Sequence, residues 1–236
     1  MLELEIWRGG AIGRFQTYRI PTREAQTVLD AVSEVQRTEA PTLAYRFACR
    51  VGMCGSCAMM VNDRPRWTCR TRVAVAAPDG RLRLAPLRHF PVVKDLVVDM
   101  APFFAKWQRA HGRFEPGPAP ATEFATVPPS TPERRAADAG IECINCGVCY
   151  AACDVVGWNP DYLGPAALNR AWTLVNDVRD RARAAARLAA VTGPGGCQSC
   201  HTHMACTETC PKAIAPTYAI AGLKRQAMRA ALAGTR

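Results

Sequence analysis

The sequence predicts an α+β protein, a small sheet-rich domain first and an all-α domain after it. Three observations carry this reading. The N-terminal part alternates apolar and polar residues with period two between glycine turns. Gly112 to Pro132 then holds six prolines and little apolar periodicity, which is linker composition. Beyond it the chain turns alanine-rich, with a proline-initiated helix start at Thr131-Pro132-Glu133. At 236 residues the chain is long for one domain and comfortable for two. The expected division is 1–110, a linker at 111–131, and 132–236.

Each element has a local reason. Leu2, Leu4 and Ile6 alternate with Glu3, Glu5 and Trp7 as a strand, Gly9-Gly10 turns, and Phe15 to Ile20 returns as a hairpin. Thr27 is an N-cap for an amphipathic helix on Val28, Leu29, Val32 and Val35 that ends near Arg37. Ala58 to Val61 and Trp67 to Ala76 read as a hairpin across Asn62-Asp63-Arg64-Pro65, with Cys69 in its second strand. Pro78-Asp79-Gly80 turns into Arg81 to Leu84. Strand, strand, helix, cysteine loop and further strands is the order of a β-grasp domain. Phe90 to Met100 leads into a helix that runs toward Gln108. In the second domain Pro165 to Ala171, Asn176 to Val191 and Pro216 to Ala233 read as helices. Arg179, Arg183 and Arg187 recur every four residues, Arg181 lies off that stripe, and all four read as solvated surface.

Twelve cysteines are the strongest chemical signal. Their short spacings suit metal ligation better than cross-linking, since a disulfide across two residues stabilises little. Cys49-x4-Cys54-x2-Cys57, with Cys69 further on, has the spacing of plant-type [2Fe–2S] ferredoxins. Gly52 and Gly55 permit the positive φ that a loop needs to point N–H groups at sulfur. Structural zinc usually pairs two C-x2-C knuckles, and here there is one. Cys143-x2-Cys146-x2-Cys149-x3-Cys153 is a bacterial ferredoxin run, whose fourth cysteine ligates the other cluster. The later stretch offers Cys200, Cys206 and Cys210-Pro211, one thiol short of such a run. By the exchange rule Cys143, Cys146 and Cys149 take Cys210 for a [4Fe–4S] cluster. Cys153 joins Cys200 and Cys206, and three thiolates suit a [3Fe–4S] cluster. Cys197 is left over, read as a free buried thiol.

The formal charge of +10 can offset anionic clusters, face an acidic partner, or meet phosphate. The arginines are dispersed and no nucleic-acid module is visible, so nucleic acid ranks last. The start Met1-Leu-Glu-Leu-Glu-Ile lacks the features of a signal peptide, and no apolar run reaches membrane-spanning length, so a reducing, cytosolic side is expected.

The cysteine runs, with Ala44 to Cys57, Phe90-Pro-Val-Val-Lys-Asp-Leu-Val-Val-Asp99, Asn159-Pro-Asp-Tyr-Leu-Gly-Pro-Ala-Ala167 and Cys210-Pro-Lys212, resemble the iron–sulfur subunit of the succinate dehydrogenase/fumarate reductase (complex II) family. The resemblance covers nearly the whole chain. It implies an electron wire with no dicarboxylate chemistry of its own. A flavoprotein subunit holding FAD stands at one end and a quinone at a membrane anchor at the other, with [2Fe–2S], [4Fe–4S] and [3Fe–4S] clusters between. It implies a peripheral place on the cytoplasmic face of the inner membrane. It also places Trp158, His201 and Lys224 beside the quinone, against plainer readings as core, structural histidine and lipid-phosphate contact.

Three residues depart from the family pattern. Val51 replaces an acidic residue near the first cluster. Asp154 replaces the proline after Cys153 and would lower the last potential. His203 stands between Cys200 and Cys206, where imidazole either borders the vacant cluster corner or binds a fourth iron. Two other readings stand beside this one: an iron–sulfur subunit of another oxidoreductase complex or a free multi-cluster ferredoxin, and a zinc scaffold.

Overall fold

The computed structural model describes residues 1–116 and 126–234, and at 181–182 the backbone only. The linker assignment therefore falls partly outside the described residues, at 117–125, and so does the surface assignment of the Arg181 side chain. The chain forms two compact units, Met1–Pro102 with Ile144–Ala152, and Phe103–Cys143 with Cys153–Arg236.

In the first unit β1 (Leu2–Gly9) and β2 (Gly13–Ile20) form the expected hairpin. Their register, Leu2 opposite Ile20 and Leu4 opposite Tyr18, sends one set of side chains inward. Helix α1 (Val28–Thr38) starts where Thr27 predicts, with a capping box in which Thr27 and Asp30 satisfy each other's backbone N–H. Leu2, Leu4 and Ile6 close over its Val28, Val32 and Val35, with Met59, Val61, Leu82 and Leu84 completing one apolar core. β3 (Ala58–Val61) and β4 (Arg64–Trp67) meet across Asn62-Asp63, both at positive φ as a two-residue hairpin turn requires. A short α2 (Val73–Ala76) follows, then β5 (Arg81–Ala85). The sheet order is β2-β1-β5-β3-β4, with β1 and β5 parallel and the other pairs antiparallel. That mixed sheet under one helix is the anticipated β-grasp arrangement.

Two sequence readings change here. The second strand does not run from Trp67 to Ala76: β4 already takes in Arg64 and Pro65 of the expected turn and ends at Trp67. Thr68–Arg70 forms a 3-10 turn and α2 follows, so Cys69 sits on a turn. There the Cys57 carbonyl accepts both the Thr68 N–H at 3.3 Å and the Thr68 hydroxyl at 2.9 Å, which fixes the turn against the cysteine loop. The stretch after Phe90 also holds a hairpin that the sequence reading missed, β6 (Val92–Lys94) with β7 (Val97–Val98). Asp95 at its tip is buried, accepting from Gly9 N at 2.8 Å and Ala44 N at 2.9 Å and pairing with Arg8 at 3.2 Å. It ties the end of β1 to the segment leading into Cys49.

Helix α3 (Ala101–Arg109) begins as the first unit ends. In the second unit α4 (Pro132–Ile141) starts where Thr131-Pro132-Glu133 predicts, and the Thr131 hydroxyl caps it. The chain passes through the first unit with α5 (Val148–Ala151) and returns with α6 (Asp154–Trp158), α7 (Pro165–Val175) and α8 (Ala184–Ala190). It ends in α9 (Ala205–Glu208) and α10 (Pro216–Leu232). Helices α4, α7 and α10 pack together. Gly222 lets α10 lie on Trp172, where a methyl would come within 2.4 Å of the indole.

The single helix expected over Asn176–Val191 is a 3-10 segment, Val178–Arg183, with a non-helical break at Asp180, followed by α8. Arg187 is not surface but fully buried with Asp180. Its guanidinium grips both carboxylate oxygens at 3.1 and 3.0 Å and donates to the carbonyls of His111 and Arg113. Asp180 also accepts from Glu115 N at 3.2 Å. The backbone break places the carboxylate for these contacts, which outweigh alanine's helical propensity.

Candidate metal centres

The first thiol set lies wholly in the first unit. Arg50, Gly52 and Gly55 all take positive φ, which curls the chain between Cys49 and Cys57. The Cys49 sulfur accepts from Met53 N at 3.2 Å and Cys54 N at 3.3 Å. The N–H groups of Val51, Met53 and Cys54 lower its thiol to about 6. Cys69 shows the opposite environment, its thiol raised to about 11 by burial and then by the Cys57 thiol. Cys57 and Cys69 are buried, whereas Cys54 is exposed with its sulfur 3.1 Å from the Ser56 hydroxyl. The loop thus has an outer, donor-rich rim and an inner, dry pair. Converging N–H groups on sulfur are what an anionic iron–sulfur group needs, so this loop fits one. Thr68 was missed from sequence, because nothing in the spacing marks a hydroxyl that locks Cys57 to Cys69.

The ferredoxin run follows the same logic. Cys146 lies between Asn145 and Gly147, at φ +53° and +78°. Cys149 rides on α5, and Tyr150 packs on Phe90 with ring centroids 4.8 Å apart. Gly55 lies against this run. A Cβ built there would stand 2.5 Å from the Cys146 Cβ. The cysteine loops carrying Cys54, Cys57 and Cys146 are therefore in contact within the first unit.

Cys143, Cys153, Cys200, Cys206 and Cys210 belong to the second unit. Glu142 and Lys212 form a 3.1 Å ion pair that joins the neighbourhoods of Cys143 and Cys210. Burial raises the thiols of Cys153 and Cys206, and each also feels the Cys200 thiol. Cys153, Cys200 and Cys206 thus form a mutually interacting group. Cys206 is buried, with its sulfur 3.4 Å from the Thr217 hydroxyl. Cys197 is fully buried and donates to Gln198 Oε1 at 3.3 Å. Among the described residues no three His, Cys, Asp or Glu side chains form a group that would hold a single metal ion.

Of the residues placed by resemblance beside a quinone, Trp158 is 69% exposed. Its ring meets that of His203 edge-on at 6.2 Å, and the His201 ring is 6.1 Å from His203. Lys224 donates to the Cys200 carbonyl at 2.7 Å and lines a cavity of about 350 Å³ with Thr192, Gln198, Ala227, Met228 and Ala231. Among the described residues no helix is long and apolar enough to cross a membrane.

Comparison with known proteins decides the family. Residues 3–105 match the profile of a 2Fe-2S iron-sulfur cluster binding domain and residues 140–214 that of a 4Fe-4S dicluster domain. The fumarate reductase iron-sulfur subunit of Haemophilus influenzae is 36% identical, over 86% of this chain and 82% of its own. The chain belongs to the succinate dehydrogenase/fumarate reductase iron–sulfur subunits. The succinate dehydrogenase iron-sulfur subunit of Paracoccus denitrificans is 39% identical over 84% of this chain and 74% of its own. A chain of the Mycobacterium smegmatis Sdh1 complex in the apo form matches in structure at TM-score 0.80 and 27% identity, covering 97% of this chain and 95% of that one. This iron–sulfur subunit is thus part of an oxidoreductase complex with partner subunits. Its family carries [2Fe–2S], [4Fe–4S] and [3Fe–4S] clusters.

Proposed function

We propose that this chain conducts electrons between the FAD of a flavoprotein subunit and a quinone at a membrane anchor, lying peripherally on the cytoplasmic face of the inner membrane. Cys49, Cys54, Cys57 and Cys69 would hold [2Fe–2S]. Cys143, Cys146, Cys149 and Cys210 would hold [4Fe–4S], and Cys153, Cys200 and Cys206 [3Fe–4S]. Residues 1–110 and 132–236 would serve as the two cluster-bearing domains, joined by 111–131. When bound, the clusters supply one-electron carriers, which side chains lack.

The observation that carries the reading is the approach of Gly55 to Cys146, which leaves no room for a methyl group between two cysteine loops. Electron transfer requires such closeness, whereas a scaffold does not. The chain's own residues then set the environment of each site. Backbone N–H groups stabilise negative charge at Cys49, while burial disfavours it at Cys69, Cys153 and Cys206. Trp158, His201 and Lys224 would face the quinone, the lysine being held on the Cys200 carbonyl.

The test is Cys153→Ser in the assembled complex. The third centre's EPR signal and electron flow between succinate and quinone should be lost. Reduction of an artificial dye at the flavoprotein should continue. Undiminished quinone reduction would overturn the proposal.

A further inference from the structure

The three-thiol set leaves His203 unused, yet its place in the chain is that of a ligand. Cys200-x2-His203-x2-Cys206-x3-Cys210 has the spacing of Cys143-x2-Cys146-x2-Cys149-x3-Cys153, with imidazole at the second position. The backbone repeats too. Asn145 and Gly147 flank Cys146 at φ +53° and +78°, and Thr202 and Met204 flank His203 at +60° and +63°. Gly147 is the N-cap of α5, whose second residue is Cys149. Met204 is the N-cap of α9, whose second residue is Cys206.

Asparagine and glycine enter left-handed backbone readily, but threonine and methionine do not. Such strain persists where the surroundings over-determine it, and it clusters at ligand clamps. Around His203 it reproduces the backbone setting that Cys146 has in the first run. The imidazole is exposed, with the Trp158 ring edge-on to it and His201 alongside. A metal ion from solution can therefore reach it.

We propose that His203 is the fourth ligand position of the third centre, capturing a ferrous ion there and converting a three-iron cluster to a four-iron one. This rests on the assignment of Cys153, Cys200 and Cys206 to that centre. Imidazole replaces thiolate on iron in Rieske centres, so the substitution is chemically sound. The step balances without an outside oxidant. A one-electron-reduced three-iron core and a ferrous ion sum to the ordinary oxidised four-iron core. The nitrogen lone pair displaces water from the ferrous ion, and any proton on that nitrogen goes to solvent. The reducing electron is of the kind this family already carries.

The experiment uses the full-length chain in its complex, purified anaerobically, reduced with dithionite, given ferrous ion, and reoxidised with a mild dye. Wild type should lose its three-iron EPR signal after this treatment. His203→Ile should keep the full signal throughout, and His203→Cys should lose it. Unchanged visible absorption of the [2Fe–2S] centre reports that each variant is folded. A wild-type signal that survives ferrous ion as it does in His203→Ile overturns the proposal. Cys206→Ser separates the two assignments: a three-iron signal that persists in it means that the thiol set is wrong. If that signal disappears while wild type and His203→Ile behave alike, the thiol set stands and the role of His203 falls.

Discussion

Replacing Gly55 with alanine tests the contact on which the proposed electron path rests. The added Cβ would stand 2.5 Å from Cys146 Cβ, 2.9 Å from Cys146 Cα and 3.3 Å from Ile144 Cδ1. Two of those atoms are rigidly placed, so the overlap cannot be relieved by turning a flexible side-chain end. The φ of +71° adds a second cost, about 1–2 kcal/mol for a residue with a Cβ. Overpacking adds about 1–3 kcal/mol. A stability loss of roughly 3 kcal/mol follows for the first unit. Guanidinium titration of the cluster-loaded protein, followed by bleaching of the [2Fe–2S] absorption, reads it directly. EPR should report a changed [2Fe–2S] line shape, since Gly55 lies between Cys54 and Cys57. Gly10→Ala is the control, because nothing lies within 4 Å of a Cβ there, and it should stay within about 0.5 kcal/mol of wild type. Equal behaviour of the two variants would refute the claim that the approach of Gly55 to Cys146 leaves no room for a methyl group.

Two further outcomes follow from the second unit. Arg187→Met strands the fully buried Asp180 carboxylate and should cost about 3–5 kcal/mol, while adding Asp180→Leu should recover much of it. A denaturant titration showing less than about 1 kcal/mol lost for the single variant would contradict the buried pair. Asp177 hydrogen-bonds Arg179 at 2.8 and 2.7 Å, which holds its carboxyl below the usual range. Its folded pKa is depressed, so its stabilisation is present above roughly pH 4 and is lost as pH falls through the folded value. The stability gap between wild type and Asp177→Asn should therefore be constant near neutrality and close in acid. A gap that widens on acidification would refute that sign.

Local rules were readable where one residue decides the local structure. Thr27 caps a helix and Pro132 starts one as expected, because a hydroxyl three residues before an N–H and a proline's fixed φ are short-range devices. Of the expected turn Asn62-Asp63-Arg64-Pro65 only Asn62-Asp63 turns the chain, because these two residues tolerate positive φ, while Arg64 and Pro65 are already strand. Segment 67–76 was misread because its apolar residues fit a strand while one hydroxyl, on Thr68, bonds Cys57 eleven positions away. Segment 176–191 was misread because its alanines favour a helix while Arg187 reaches carbonyls at 111 and 113. Both errors come from partners distant in sequence, which propensity does not sense.

The sequence by itself determined the family and the expected cofactor chemistry, because thiolate spacing is set by the reach of a loop around a cluster and survives any tertiary arrangement. It also marked His203, through a gap in that spacing. Only the tertiary structure decided that Gly55 meets Cys146, that residues 144–152 travel with the first unit, and that Cys153, Cys200 and Cys206 interact. Only the structure revealed that Thr202 and Met204 repeat the backbone around Cys146. Such facts depend on which distant segments pack together, and packing is settled by the whole core.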